Sequence, residues 1–373
     1  MAFNLGYCEA LLVHLNDIAK GNTGANKVTP QGFLETLCAS TPEDGQAAVN
    51  QGFDENTGSF RDVKFMYQPR ALDTLYQISD NCDVQSAPAY TEGTVPSLQY
   101  IQRGVFIADA QMQRYCSEYS KSLKIGKPAT DFMRGHLDLV LPQVYALYSR
   151  INKQLISAMV SQFGVNARTG SNAPATINIP QNTTINNLQT GITQLLYDLE
   201  FNEICGDVCI VGNGLFTASE LQNAIKTCCD SQGLDSSKWN FYTYRSDFAT
   251  ASLWGTNQLG VFAKGSIYLI TRNRYVGSYA GDRGSSFFTT FTPPVPADAC
   301  SMLARCLTLD LQVRYLDCPQ TININGVATA VGRGLELIFS SNYNLWVAPT
   351  NQYQAGDRLF GTNGTLRYAI TNV

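Results

Sequence analysis

The chain has 373 residues, a formal net charge of −4 from 26 basic and 30 acidic residues, and a charged fraction of only 15%. It has no run of Lys or Arg, and sequence-independent grip on nucleic acid needs clustered cations, so the expected contact with DNA is weak and non-specific. No stretch of eighteen apolar residues is present to cross a membrane as a helix, no basic-then-apolar leader opens the chain, and eleven irregularly spaced cysteines read as free thiols of a reducing cytosol.

Hydrophobic residues at 44% are ordinary for a folded chain, and the length suits two or three lobes of roughly 100–150 residues each. Asn, Thr, Ser, Gln and Gly stand where charges usually would. A neutral polar exterior suits a surface largely covered by neighbours, because desolvating an unpaired charge is costly.

In chain order, Cys8, Leu11, Leu12, Leu15 and Ile18 make one apolar stripe and predict a short helix over 5–20. Residues 30–60 carry little periodic pattern and read as an irregular arm without a core of its own. Phe60 to Tyr67 and Leu98 to Ala108 have strand-like content and predict the two arms of a long extended loop. Residues 110–122 are weakly amphipathic and helical. The clearest helix is predicted over about 143–163, where Val144, Leu147, Tyr148, Ile151, Leu155, Ala158 and Met159 recur at three and four. Pro142 then fits the first turn and Gly164 the position just past the end. Helix extending back through His136 to Leu141 would place the proline inside and kink the rod.

A short strand is expected at Thr176 to Ile179, then a helix through Leu188, Ile192, Leu195, Leu196 and Leu199. Asp207 to Val211 is nearly all apolar, as for a strand covered on both faces. Thr217 and Glu220 form a capping-box pair before Leu221, Ala224, Ile225 and Cys228. Trp239 to Tyr244 and Val261 to Ile270 are predicted strands, and 272–299 is predicted as loop. The last 75 residues read as antiparallel β. Leu307, Leu309, Leu311, Val313 and Tyr315 alternate with Thr308, Asp310, Gln312 and Arg314, giving one face in and one out. Asn325-Gly326 is a two-residue hairpin signal, Leu335, Leu337 and Phe339 start another strand, and Leu366, Tyr368 and Ile370 pattern the last.

The signatures of chemistry are missing. His14 and His136 are the two histidines, and neither sits in a local Cys–His nucleophile pattern. Cys205 and Cys209 lack a second pair at finger-like spacing, and with Cys228 and Cys229 they read as small buried hydrophobes. Val211-Gly212-Asn213-Gly214 has the strand–turn–helix context of a phosphate loop without its lysine or third glycine. Glu200 with Glu203, and Asp80 with Asp83, read as solvated or capping carboxylates. The expectation is therefore no catalytic residue, no cofactor and no metal.

The order of elements is an arm, a two-armed extension, a long helix, an α/β lobe and returning antiparallel strands. That order resembles the α+β capsid fold named after bacteriophage Hong Kong 97, shared by tailed-phage major capsid proteins and encapsulins. Cys209-Ile210-Val211-Gly212-Asn213-Gly214-Leu215-Phe216 before a capped helix is similar to the strand–loop–helix of that fold's axial domain. Leu345-Trp346-Val347-Ala348-Pro349-Thr350, Gly356-Asp357-Arg358-Leu359 and Gly361-Thr362-Asn363-Gly364-Thr365-Leu366-Arg367-Tyr368 are similar to phage capsid-protein tails. The resemblance implies an N-terminal arm at 1–55, an extended β-hairpin loop at 56–112 and a peripheral domain at 113–184 with its spine helix about 143–163. An axial domain at 185–300 follows, and strands at 301–373 return to the peripheral and axial domains.

The implied role is a non-enzymatic subunit that self-assembles through hexamers and pentamers into an icosahedral shell around a phage genome. It would be made in the host bacterial cytoplasm and reside in the virion capsid. Scaffolding and portal proteins are the implied partners, and no membrane is. The Lys–Asn cross-link of some relatives finds neither partner in this sequence. A start directly on a short arm fits an uncleaved subunit with separate scaffolding. A tail or connector component, an encapsulin-like compartment and a cytosolic enzyme are the competing readings.

Overall fold

The computed structural model describes residues 50–53, 63–67, 91–94, 98–113, 129–179, 194–202, 204, 206–212, 239–245, 252–263, 266–283, 286–291, 307–324, 327–348 and 363–372. The predicted helix at 5–20 and the Thr217/Glu220 capping pair lie outside these residues. The chain divides into two units. One takes Met1–Pro30, Gln99–Ile151 and Thr271–Tyr343; the other takes Gln31–Leu98, Asn152–Ile270 and Asn344–Val373.

The first unit is a long-stranded antiparallel sheet with a helix on one face. In its strand order, β10 (Gly281–Arg283), β11 (Ser286–Phe291), β12 (Leu309–Ile324), β13 (Val327–Val347) and β4 (Gln99–Ala108) are neighbours, and β9 (Ile267–Arg272) also pairs with β13. Leu311 lies opposite Phe339, Val313 opposite Leu337, and Leu335 opposite Ile107. These residues are buried, as are Leu309 and Phe291, so one pleat face forms a continuous apolar layer. Phe291 meets Phe339 edge to face, 5.5 Å between ring centres.

The helix, α1 (Ala129–Met159), presents Val140, Val144, Leu147, Tyr148 and Ile151, all buried. Two contacts place it on the sheet's apolar face. The Tyr148 hydroxyl donates to the Leu307 carbonyl (2.9 Å), and Arg103 Nε donates to Gln143 Oε1 (2.7 Å). Burial pushes the Tyr148 phenol well above its ordinary range, so it stays a donor. The helix runs from 129 to 159 rather than from 143 to 163, with Pro142 inside it. A proline there removes one backbone bond at a cost of about 3 kcal/mol. Val140 and Val144 are buried on either side of it, which sustains the helix across the defect.

In the second unit β5 (Ala175–Ile179), β14 (Thr365–Asn372), β8 (Gln258–Ala263), β6 (Gly206–Gly212) and β7 (Trp239–Arg245) form a mixed sheet in that order. β14 runs parallel to β5 and antiparallel to β8, and β6 parallel to β7. A helical stretch over 194–201 adds Leu195, Leu196 and Leu199 to a core with Ile177, Val208, Ile210, Val261, Leu366, Tyr368 and Ile370. β6 is interior and buried from Val208 to Val211, as its apolar run predicts. A separate antiparallel sheet pairs β1 (Asn50–Phe53), β2 (Val63–Tyr67) and β3 (Thr91–Thr94) in order.

Pairing departs from the sequence expectation in several places. β2 pairs with β1 and β3, while β4 pairs with β13, so the two predicted arms of the extension are not partners. The single strand predicted at Val261 to Ile270 is two strands in different sheets, broken where Ser266 N and Oγ both donate to the Ala263 carbonyl (3.0 and 2.6 Å). The predicted loop at 272–299 contains β10 and β11. Leu345-Trp346-Val347 ends β13, and the C-terminal strand leaves the antiparallel set to take a parallel partner. Asn325-Gly326 lies outside the described residues, but Ile324 faces Val327, the register of a two-residue hairpin.

Candidate assembly surfaces and their polar anchors

The residues weighed for chemistry scatter. Cys209 is buried in interior strand β6, Gly212 ends that strand, and Glu200 is exposed on the 194–201 helix. His136 lies on α1; His14, Asp80, Asp83, Glu203, Cys205, Asn213, Gly214, Cys228 and Cys229 lie outside the described residues. Among the described residues no three His, Cys, Asp or Glu side chains come together as a metal-binding group. Among the described residues no helix is long and apolar enough to cross a membrane.

What the structure does build is a set of buried polar anchors that fix surface segments. The first is Asp310. Its place in the alternating pattern of β12 predicts an outward side chain, and it is 0% exposed. The loop after β9 covers it. Arg274 N donates to both carboxylate oxygens (2.9 Å each) and Tyr275 N to Oδ1 (3.3 Å). Two successive backbone amides aimed at one carboxylate form an anion nest. The Tyr275 ring packs on Phe288 of β11 (4.7 Å), and the Arg274 guanidinium lies over Tyr100 of β4 (4.8 Å). Burial raises the Asp310 carboxyl above the usual aspartate range, against the opposing pull of the two amides and Arg274.

The second anchor is in the other unit. Arg168 Nε donates to Asp198 Oδ1, and Arg168 Nη2 to Asp198 Oδ2 (3.2 Å). Asn166 Nδ2 also donates to that carboxylate (3.1 Å), and Asn202 Nδ2 donates to Asn166 Oδ1 (3.0 Å). Asp198 and Asn202 are fully buried. The network holds the turn bridged by Asn166 and Ser171 onto the 194–201 helix. Tyr368 lies beside it, its phenol pushed well up first by burial and then by the Asp198 charge.

The third anchor replaces the predicted helix stop at Gly164. The helix ends five residues earlier, and Gly164 is needed for close approach instead. Its N–H meets the Thr365 carbonyl and Oγ1 (both 3.0 Å). A Cβ there would fall 2.3 Å from Asn363 Oδ1, whose amide nitrogen is held by the Gln162 and Ala348 carbonyls (3.0 and 2.9 Å). The anchoring role of Asn363 and Thr365 has no signature in spacing.

Two features of the first unit face outward. β11 stops pairing with β12 at Arg314, and β4 stops pairing with β13 at Gly334. Beyond, from Leu316 to Arg333, the hairpin continues as two strands alone among the described residues. Asp317 and Arg333 pair across its base (3.4 Å), and Val327 near its tip is 65% exposed. The second feature is the Asp310-clamped loop, where Val276 is 57% and Tyr279 63% exposed.

No family model matches the chain, and no curated protein matches it either. Solved phage structures resemble it over most of its length. The chain of Mycobacterium phage Che8 is 10% identical, with 93% of this chain and 94% of that one covered and a TM-score of 0.38. The capsid of cyanophage P-SCSP1u is 11% identical, covering 94% and 92% at a TM-score of 0.39. The procapsid of satellite phage P4 is 9% identical, covering 83% and 90% at 0.32.

Proposed function

We infer that this chain is a structural shell subunit, the major capsid protein of a tailed phage, with a Hong Kong 97-like architecture. The observation that carries the reading is the sequence of elements. A 31-residue helix lies against a long-stranded antiparallel sheet, a mixed α/β sheet follows it, and the C-terminal strand returns into that mixed sheet. In this reading α1 is the spine helix of the peripheral domain, 185–300 supplies the axial domain, and 1–55 and 56–112 are the arm and extended loop. The role is structural, not catalytic. Copies close into hexamers and pentamers and enclose DNA with weak contact, aided by scaffolding and portal proteins.

The physical logic is multivalent. Each contact is modest and reversible, and closure of rings by rotation multiplies them into a stable shell. Sedimentation and mass measurement of the full chain expressed with its scaffold test this. Particles of megadalton mass are expected. Protein that stays a 40.9 kDa monomer at high concentration with scaffold present contradicts it. Open rings or tubes would instead assign a connector or tail role.

A further inference from the structure

On the sheet face that carries Asp310, two buried amide oxygens have no hydrogen-bond partner among the described residues. They are Oδ1 of Asn342, a residue 0% exposed, and Oδ1 of Asn273. Both residues lie beside Asp310. Asp310 stands opposite Ser340 in the β12–β13 register, and Asn342 is two residues further along β13, on the same face. Asn273 sits between Arg272, whose carbonyl accepts from Asn342 Nδ2 (3.4 Å), and Arg274, whose N–H donates to Asp310 (2.9 Å). We propose that Asp310 Oδ2, Asn342 Oδ1 and Asn273 Oδ1 bind a hard, oxygen-seeking cation of the calcium type beneath the loop after β9.

Three observations carry the assignment. First, the Asn342 amide has a fixed orientation. Its nitrogen faces the Arg272 carbonyl, and turning the amide over would set two acceptors against each other. The other end is therefore an oxygen, and a buried oxygen without a partner is costly. Second, the carboxylate has room for a further ligand. Asp310 Oδ1 accepts from two backbone amides and Oδ2 from one, which leaves a lone pair on Oδ2. These amide donors are neutral, whereas a buried charge is ordinarily paired or bound to a metal. The Arg274 guanidinium lies over the Tyr100 ring (4.8 Å). Third, the spacing suits. Diagonal neighbours on one sheet face are roughly 7–8 Å apart, and their Cβ atoms are closer. A cation about 2.4 Å from each ligand joins oxygens up to roughly 5 Å apart. One carboxylate and two amide oxygens, without sulfur or imidazole, are ligands that calcium takes, while magnesium gives up its own water reluctantly. A single carboxylate makes the affinity weak, with Kd on the order of 0.1–1 mM.

The site goes beyond the shell reading and stands or falls without it. The test is thermal unfolding of the full chain at neutral pH, stripped with a chelator and titrated with calcium chloride at constant ionic strength, with magnesium chloride in parallel. At about 10 mM calcium the melting temperature is expected to rise by about 2–4 °C, and by less with magnesium. Asp310→Asn and Asn342→Leu are each expected to abolish the rise. Asn342→Leu keeps the size of the side chain, so it decides the matter where Asp310→Asn fails to fold. Asn342→Asp adds a second charge and is expected to lower the calcium concentration needed roughly tenfold. Asp317→Asn, at a side chain 78% exposed, is expected to keep the wild-type rise. A wild type that melts alike with and without calcium overturns the site. So does a rise that survives Asn342→Leu, or an unchanged calcium requirement in Asn342→Asp.

Discussion

Asp310 is the residue whose behaviour departs furthest from its local sequence. Its carboxyl is raised mainly by burial, so the folded state binds its proton more tightly than the unfolded chain does. The stability it contributes is fully present below the unfolded aspartate pKa, about 3.9, and is lost as pH rises through the higher folded value. Urea midpoints taken from pH 4 upward are expected to contain this falling component in the wild type and to lack it in Asp310→Asn. Identical profiles for the two proteins would contradict the assignment. Two glycines make a second residue-scale case. A Cβ on Gly164 meets Asn363 Oδ1 at 2.3 Å, and one on Gly334 meets the Ile107 carbonyl oxygen at 2.3 Å. Each alanine substitution is expected to cost about 1–3 kcal/mol of unfolding free energy, the usual range for overpacking.

At the scale of elements, much was legible. The alternation of Leu309, Leu311 and Val313, the apolar run of β6 and the Asn325-Gly326 hairpin signal are local patterns, and local patterns report which face is buried. Partner choice is not local. Nothing in residues 63–67 or 99–108 says that the first pairs with 91–94 and the second with 334–343. The buried networks were illegible for the same reason: Asp198 finds Arg168 thirty residues away, and Gly164 finds Thr365 two hundred away. The helix start at 129 was obscured by Pro142, which reads as a terminus because terminal prolines are common. Pro142 is exposed in mid-helix, so Pro142→Ala restores a backbone bond without disturbing the core. It is expected to raise stability by about 1–3 kcal/mol, measured by thermal unfolding. Asp198→Ala is expected to lower it by about 2–3 kcal/mol. It strands the buried amide of Asn166, while Arg168, 30% exposed, reaches water.

At the scale of the whole molecule, each of the two units carries its own buried polar anchors, Asp310 in the first and Asp198 with the Gly164–Thr365 contact in the second. Asp310 and Asp198, both buried and hydrogen-bonded, hold a loop and a turn in fixed positions, and a charged fraction of 15% suits a surface covered by neighbours. The most direct test of the shell reading is electron microscopy of the full chain expressed with its scaffolding protein. Closed particles of uniform diameter, with six-fold and five-fold clusters of subunits on their surface, are the expected result. Dispersed monomers, or filaments that never close, would contradict it.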